Sequence, residues 1–131
     1  MNEAIELHDS TLAEITHLDG TVVVSLLPAY LHRSAGVVGT DAGTGWTQAA
    51  TITFFGAGPV TKVEGLPIWI SDGTLSVGAV RYRNLIPARG YFEGEVELSL
   101  ELASPDTVTI RGTSLRIELH GEARYVEEVP S

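Results

Sequence analysis

The stretch Tyr91-Phe92-Glu93-Gly94-Glu95-Val96-Glu97-Leu98-Ser99-Leu100-Glu101-Leu102-Ala103 decides the fold. Phe92, Val96, Leu98, Leu100 and Leu102 alternate with Glu93, Glu95, Glu97, Ser99 and Glu101, and successive side chains of a strand point to opposite sides. The segment therefore reads as a β-strand with one apolar and one acidic face. Burying each apolar side chain contributes roughly 1.5 to 3 kcal/mol, whereas an exposed ion pair made by one glutamate contributes about 0 to 1 kcal/mol. The leucine face dominates, and the rest of the chain has to cover it.

Upstream, residues 11–18 and 21–27 are β-rich and flank Asp19-Gly20, a dipeptide that tolerates the positive φ values of a type I′ turn. A two-residue hairpin follows, with Ile15 opposite Val24, Ala13 opposite Leu26, Glu14 opposite Ser25 and Thr16 opposite Val23. Residues 5–8 form a short strand before it, and Asp9 and Ser10 turn the chain through side-chain to backbone hydrogen bonds. Pro28 lacks an amide donor, so the second hairpin strand has an edge or bulge there before residues 29–32 continue it. Residues 33–46, with Gly36, Gly39, Gly43 and Gly45, read as the longest loop, a lid or contact segment with Trp46 as its anchor.

Residues 47–55 are a further strand, with Ala50, Ile52 and Phe54 on one side and Thr47, Thr51 and Thr53 on the other. A second Asp-Gly pair, Asp72-Gly73, predicts a second hairpin that sets Ile70 opposite Leu75 and Ile68 opposite Val77. In residues 107–119 the apolar phase changes from even (Val108, Ile110) to odd (Leu115, Ile117, Leu119). A one-residue slip moves a strand's apolar set to its other face, so a bulge or break is required near Gly112. Gly121 then ends the run, and residues 122–126 form a last short strand before a frayed acidic tail. No stretch has apolar residues at helical spacing over three turns. The chain is expected to be a single all-β domain spanning residues 1–131, an antiparallel β-sandwich or flattened β-barrel built from hairpins.

Composition narrows the function. The 131 residues carry a net charge of −9 and no cysteine, which removes disulfide scaffolds, cysteine-ligated zinc and thiol nucleophiles. Few lysines and arginines are available for a phosphate backbone, so nucleic acid is an unfavourable partner and a basic protein a permitted one. No apolar run reaches the ~18 residues of a membrane span, and residues 1–9 have no basic leader. A cytoplasmic protein without a membrane partner is expected.

The opening Leu7-His8-Asp9-Ser10-x-Leu12 followed by a hairpin, and the ending from Ile110-Arg111-Gly112 to Leu119-His120-Gly121-Glu122, resemble small bacterial all-β proteins of uncharacterised function. Some toxin-immunity proteins begin with a similar Leu-His-Asp element. The resemblance implies an all-β fold and brings no catalytic residues with it.

The candidate chemistry is sparse. His8, His17, His32 and His120 are the only groups suited to neutral-pH proton transfer or nitrogen ligation. No His-x-His or His-x-x-x-His spacing occurs, and His17 and His32 lie about ten strand positions apart, roughly 33 Å along the hairpin. His8-Asp9 is the one pair open to an enzymatic reading, and its plain alternative is that Asp9 and Ser10 shape a turn. Glu93, Glu95 and Glu97 stand two residues apart, their Cα atoms ~6.6 to 6.8 Å from the next, within the range used by paired carboxylates in inverting glycosidases. A uniform acidic stripe reads instead as a solvated face that meets a basic protein or, more weakly, calcium. The glycine-rich pieces lack the lysine and helix of a phosphate loop, and no Gly-x-Ser-x-Gly elbow is present.

Arg81, Arg83 and Arg89 gather near one loop as a candidate anion clamp. Trp46, Trp69, Tyr82 and Tyr91 are candidates for a groove wall, with core packing as the alternative. The resulting expectation is a non-enzymatic acidic interaction module, of immunity or regulatory type, without cofactor or metal. It would bind a basic protein through its carboxylate face or long loop, with a homodimer formed through an edge strand as a further option. The alternative is a small-ligand-binding β-barrel, with residues 33–46 over its mouth.

Overall fold

A computed structural model describes all 131 residues. Nine strands and no helix make up the fold: β1 (Asn2–Glu6), β2 (Thr11–Leu18), β3 (Thr21–Ser34), β4 (Gly43–Phe55), β5 (Ile68–Val77), β6 (Val80–Arg83), β7 (Leu85–Pro87), β8 (Gly90–Leu102) and β9 (Thr107–Val129). Every pairing is antiparallel. The sheet runs β2-β5-β8-β9-β4-β3-β1-β7, and a β2–β3 ladder returns it on itself as a flattened barrel. Its seam is narrow, since β2 meets β5 only through Thr11 opposite Trp69 and Leu12 opposite Ile68. No helix is long and apolar enough to cross a membrane.

The leucine face of β8 lies in the core as the alternation requires. Val96, Leu98, Leu100 and Leu102 are buried, and Leu98 is flanked by Leu75 on β5 and Ile110 on β9. Across the ring Ile52 sits between Val24 and Ile117, with Phe54 fully buried beside them. These side chains belong to one cluster of 23 buried residues that fills the interior. The connection from β4 to β5 adds Val60, Val63 and Leu66 to its margin.

The Asp19-Gly20 hairpin forms with both turn residues at positive φ, 47° and 77°, as a type I′ turn demands. Ile15, Glu14 and Thr16 face Val24, Ser25 and Val23. Leu12, not Ala13, pairs with Leu26, because a bulge at Ala13 restores the larger side chain to the core. The ladder between β3 and β4 shifts between Leu26 and Ala29, on either side of Pro28. Ser10 performs the turn role expected of it: its hydroxyl donates to the Glu6 carbonyl at 2.6 Å and accepts the Tyr30 amide at 2.9 Å.

Four expectations are corrected. Asp72-Gly73 is not a turn, since β5 runs through it and the hairpin to β6 closes at Gly78-Ala79. Gly73 answers to packing instead: a Cβ there would meet Leu7 Cδ1 at 2.7 Å and Leu100 Cδ2 at 3.0 Å. Residues 33–46 are not one long loop, because β3 extends to Ser34 and β4 begins at Gly43, pairing Arg33 with Thr44 and His32 with Gly45. Gly121 does not end β9. It sits in a bulge at φ 72°, after which Arg124, Tyr125, Glu127, Glu128 and Val129 pair with β4, so the acidic tail is ordered strand. The acidic row of β8 is interrupted, because the ladder shifts between Glu93 and Val96 with Gly94 at φ 115°. That shift lies opposite Gly112 to Ser114, where the phase of β9 changes and Ser114 and Leu115 are both buried in succession.

Candidate functional site

The bulge in β8 turns Glu95 into a surface groove of about 480 Å³. Glu95 and Glu97 from β8 line it together with Ser76 from β5 and Arg111 and Thr113 from β9. Four of its ten lining residues are glycines, Gly56, Gly58, Gly78 and Gly112, so its walls offer backbone rather than side chain. The walls are tied together by backbone bonds, the Gly78 amide donating to the Glu95 carbonyl at 2.8 Å and the Gly58 amide to the Arg111 carbonyl at 3.2 Å.

The charges of this groove are unbalanced. Arg111 Nε donates to Glu97 Oε2 at 2.6 Å, which neutralises Glu97. Glu93 and Glu95, both exposed, make no ion pair. Nearby Arg116 is occupied differently: its guanidinium lies 5.4 Å from the Tyr91 ring and 5.9 Å from the Phe55 ring, a cation–π arrangement. The groove therefore presents the Glu95 carboxylate without an ion pair between glycine-rich walls.

A second polar cluster forms where the turn after β1 meets β3. Glu6 Oε1 is 2.9 Å from His32 Nε2, and Glu6 Oε2 accepts from Asn84 Nδ2 at 3.0 Å. Asn84 Oδ1 also accepts the His8 amide at 2.8 Å, and His8 Nδ1 lies 3.4 Å from Asp9 Oδ1. Alongside, the Tyr30 hydroxyl donates to Glu127 Oε2 at 2.5 Å, and Gly45 leaves the space that its ring tip occupies. Burial, that hydrogen bond and the charges of Glu127, Glu6 and Asp9 hold the Tyr30 phenol well above its ordinary range.

The other candidates are dispersed. Arg81 and Arg83 are exposed on β6 without ion pairs, whereas Arg89 binds Glu3 Oε1 at 2.9 Å while Arg33 Nε takes Glu3 Oε2 at 3.0 Å. The three arginines do not converge on an anion. Trp46 is half-buried beneath the Arg33 guanidinium at 4.7 Å and edge-on to Tyr125 at 5.4 Å, so it packs strands β3, β4 and β9 rather than anchoring a loop. Trp69 is 72% exposed. His17 is exposed, and His120 is held by Thr51 Oγ1 at 2.8 Å, far in the pairing scheme from His8. The grouping of Glu6, Tyr30, His32, Asn84 and Glu127 has no local signature in the sequence, since their proximity depends on pairings between β1, β3, β4, β7 and β9. Arg111, paired to Glu97, was visible only once β8 and β9 were in register.

Comparison with known protein families, with curated proteins and with solved structures finds no match for this chain.

Proposed function

We propose that the protein is a non-enzymatic acidic interaction module that binds a basic protein partner through the outer face of β8 and the groove beside it. The observation that carries this reading is that Glu95, at a glycine-lined groove, and Glu93, two residues before it on β8, are exposed and make no ion pair. A regulatory or immunity-type role in the bacterial cytoplasm accords with the Leu7-His8-Asp9-Ser10 resemblance and with the net charge of −9. Because the core side chains occupy the interior, a small ligand is left with the surface groove and not a lumen. The edge of β9 beyond Ile117, which β8 does not pair, is where a second copy would add a strand.

Reversing Glu93 and Glu95 together to lysine tests the reading. Both are exposed, so the fold should hold within about 0.5 kcal/mol, while the affinity for the partner isolated with the wild-type chain should fall by about tenfold or more and lose its salt dependence. Unchanged binding of that partner by the doubly reversed chain would exclude this surface.

A further inference from the structure

We propose that Glu6, His8 and Asp9 bind one divalent first-row transition-metal ion, with Zn²⁺ as the best match. One ligand atom from each of the three lies within 4.8 Å of the other two. Ligands of a tetrahedral ion at a bond length of ~2.1 Å stand roughly 3.4 Å apart, and His8 Nδ1 and Asp9 Oδ1 already stand at 3.4 Å. Glu6 completes the set with an oxygen no more than 4.8 Å from either.

The donor set points away from a mere acidic patch. An imidazole nitrogen is poorly suited to calcium or magnesium and well suited to zinc, and two carboxylates complete a nitrogen–oxygen set for a borderline ion. The Glu6 carboxylate is already oriented by hydrogen bonds. Glu6 keeps free lone pairs on both oxygens while His32 and Asn84 hold it, and ligating carboxylates are characteristically hydrogen-bonded in this way. Asn84 is a hub for two of the ligands, gripping the Glu6 side chain and the His8 amide. It is itself fixed to the fold, its amide donating to the Gly73 carbonyl at 2.9 Å and its carbonyl accepting the Leu7 amide at 2.8 Å. No lysine or arginine pairs with Glu6 or Asp9. His8 and Asp9 are each about half exposed, at 54% and 56% of their side chains, which leaves the remaining coordination positions to water. Bound there, the ion links the end of β1 to the turn that enters β2. This site shares no residue with the acidic groove and stands or falls separately from it.

The test is a calorimetric titration of Zn²⁺ into the full chain after chelator treatment, with thermal melts run in parallel. One ion per chain is expected, with a rise in Tm that Ca²⁺ at the same concentration does not produce. His8→Ala and Asp9→Asn should each weaken Zn²⁺ binding by about tenfold or more, while His17→Ala and His120→Ala leave it unchanged. Circular dichroism confirms that each variant is folded. Absence of saturable Zn²⁺ binding overturns the proposal, and so does binding that survives both His8→Ala and Asp9→Asn.

Discussion

Replacing Ser10 by alanine tests how the turn after β1 is held to the barrel. Ser10 is completely buried, and its one hydroxyl serves two backbone groups, the Glu6 carbonyl and the Tyr30 amide. Alanine fills the same space and leaves both groups without a partner. The buried Tyr30 amide loses about 1 to 3 kcal/mol, and the part-buried Glu6 carbonyl adds a smaller amount, for roughly 3 kcal/mol together. At an unfolding entropy of about 2.1 cal/mol/K per residue, a chain of 131 residues melts with ~0.28 kcal/mol/K. The Tm of Ser10→Ala should therefore fall by about 10 °C in a calorimetric or circular-dichroism melt. Ser71→Ala is the matched control, because Ser71 donates to the Glu101 and Leu102 carbonyls from an exposed position, and its effect should stay within ~0.5 kcal/mol. A Ser10→Ala protein that melts within about 2 °C of wild type would refute the claim that these two bonds hold the turn after β1 to the barrel.

Three further outcomes follow from the packing and the charges. Leu98→Ala should cost about 2 to 5 kcal/mol in denaturant unfolding, since Leu98 is fully buried between Leu75 and Ile110, whereas Glu101→Ala on the opposite face should stay within ~0.5 kcal/mol. Gly73→Ala should destabilise by about 1 to 3 kcal/mol, because its Cβ would press on Leu7, on Leu100 and on the Ser99 carbonyl oxygen at 3.1 Å; a neutral result would show that Leu7 moves aside freely. The raised ionisation of Tyr30 predicts alkaline sensitivity. The unfolded chain releases that proton near pH ~10 while the folded chain retains it, so the contribution is complete below this pH and is lost as pH rises above it. Tyr30→Phe should flatten that part of the alkaline stability profile, and Tyr30 should be the last tyrosine to ionise in an absorbance titration.

Much of the barrel was legible because local patterning and tertiary burial agree. The period-two alternation of 91–103 placed Leu98 and Leu100 correctly, and the phase change around Gly112 announced a slip that both β8 and β9 display. Asp19-Gly20 and Asp72-Gly73 look alike as dipeptides, yet only the first is followed by a strand of matching length that can fold back on it. At the second, β5 continues straight through and pairs with β8 instead, Ile70 with Leu102 and Leu75 with Leu98, all four side chains buried. Glycine content made 33–46 resemble a loop, but Gly43 and Gly45 lie in β4, where Arg33 and Tyr30 approach too closely for a side chain. The site is less legible than the fold. Glu95 was recognised as a carboxylate in a row, whereas its emergence into a groove depends on the bulge at Gly94. Glu6 and His32 are 26 residues apart, and only the pairing of β1 with β3 brings them into contact.

Native mass spectrometry of the chain isolated gently from its host is the most direct test of the central claim, an acidic module that binds a basic polypeptide. A stoichiometric complex with a basic polypeptide is expected, which the Glu93→Lys/Glu95→Lys chain fails to retain. The bare mass of the chain or its multiple, or an equal complex with the reversed chain, would contradict it.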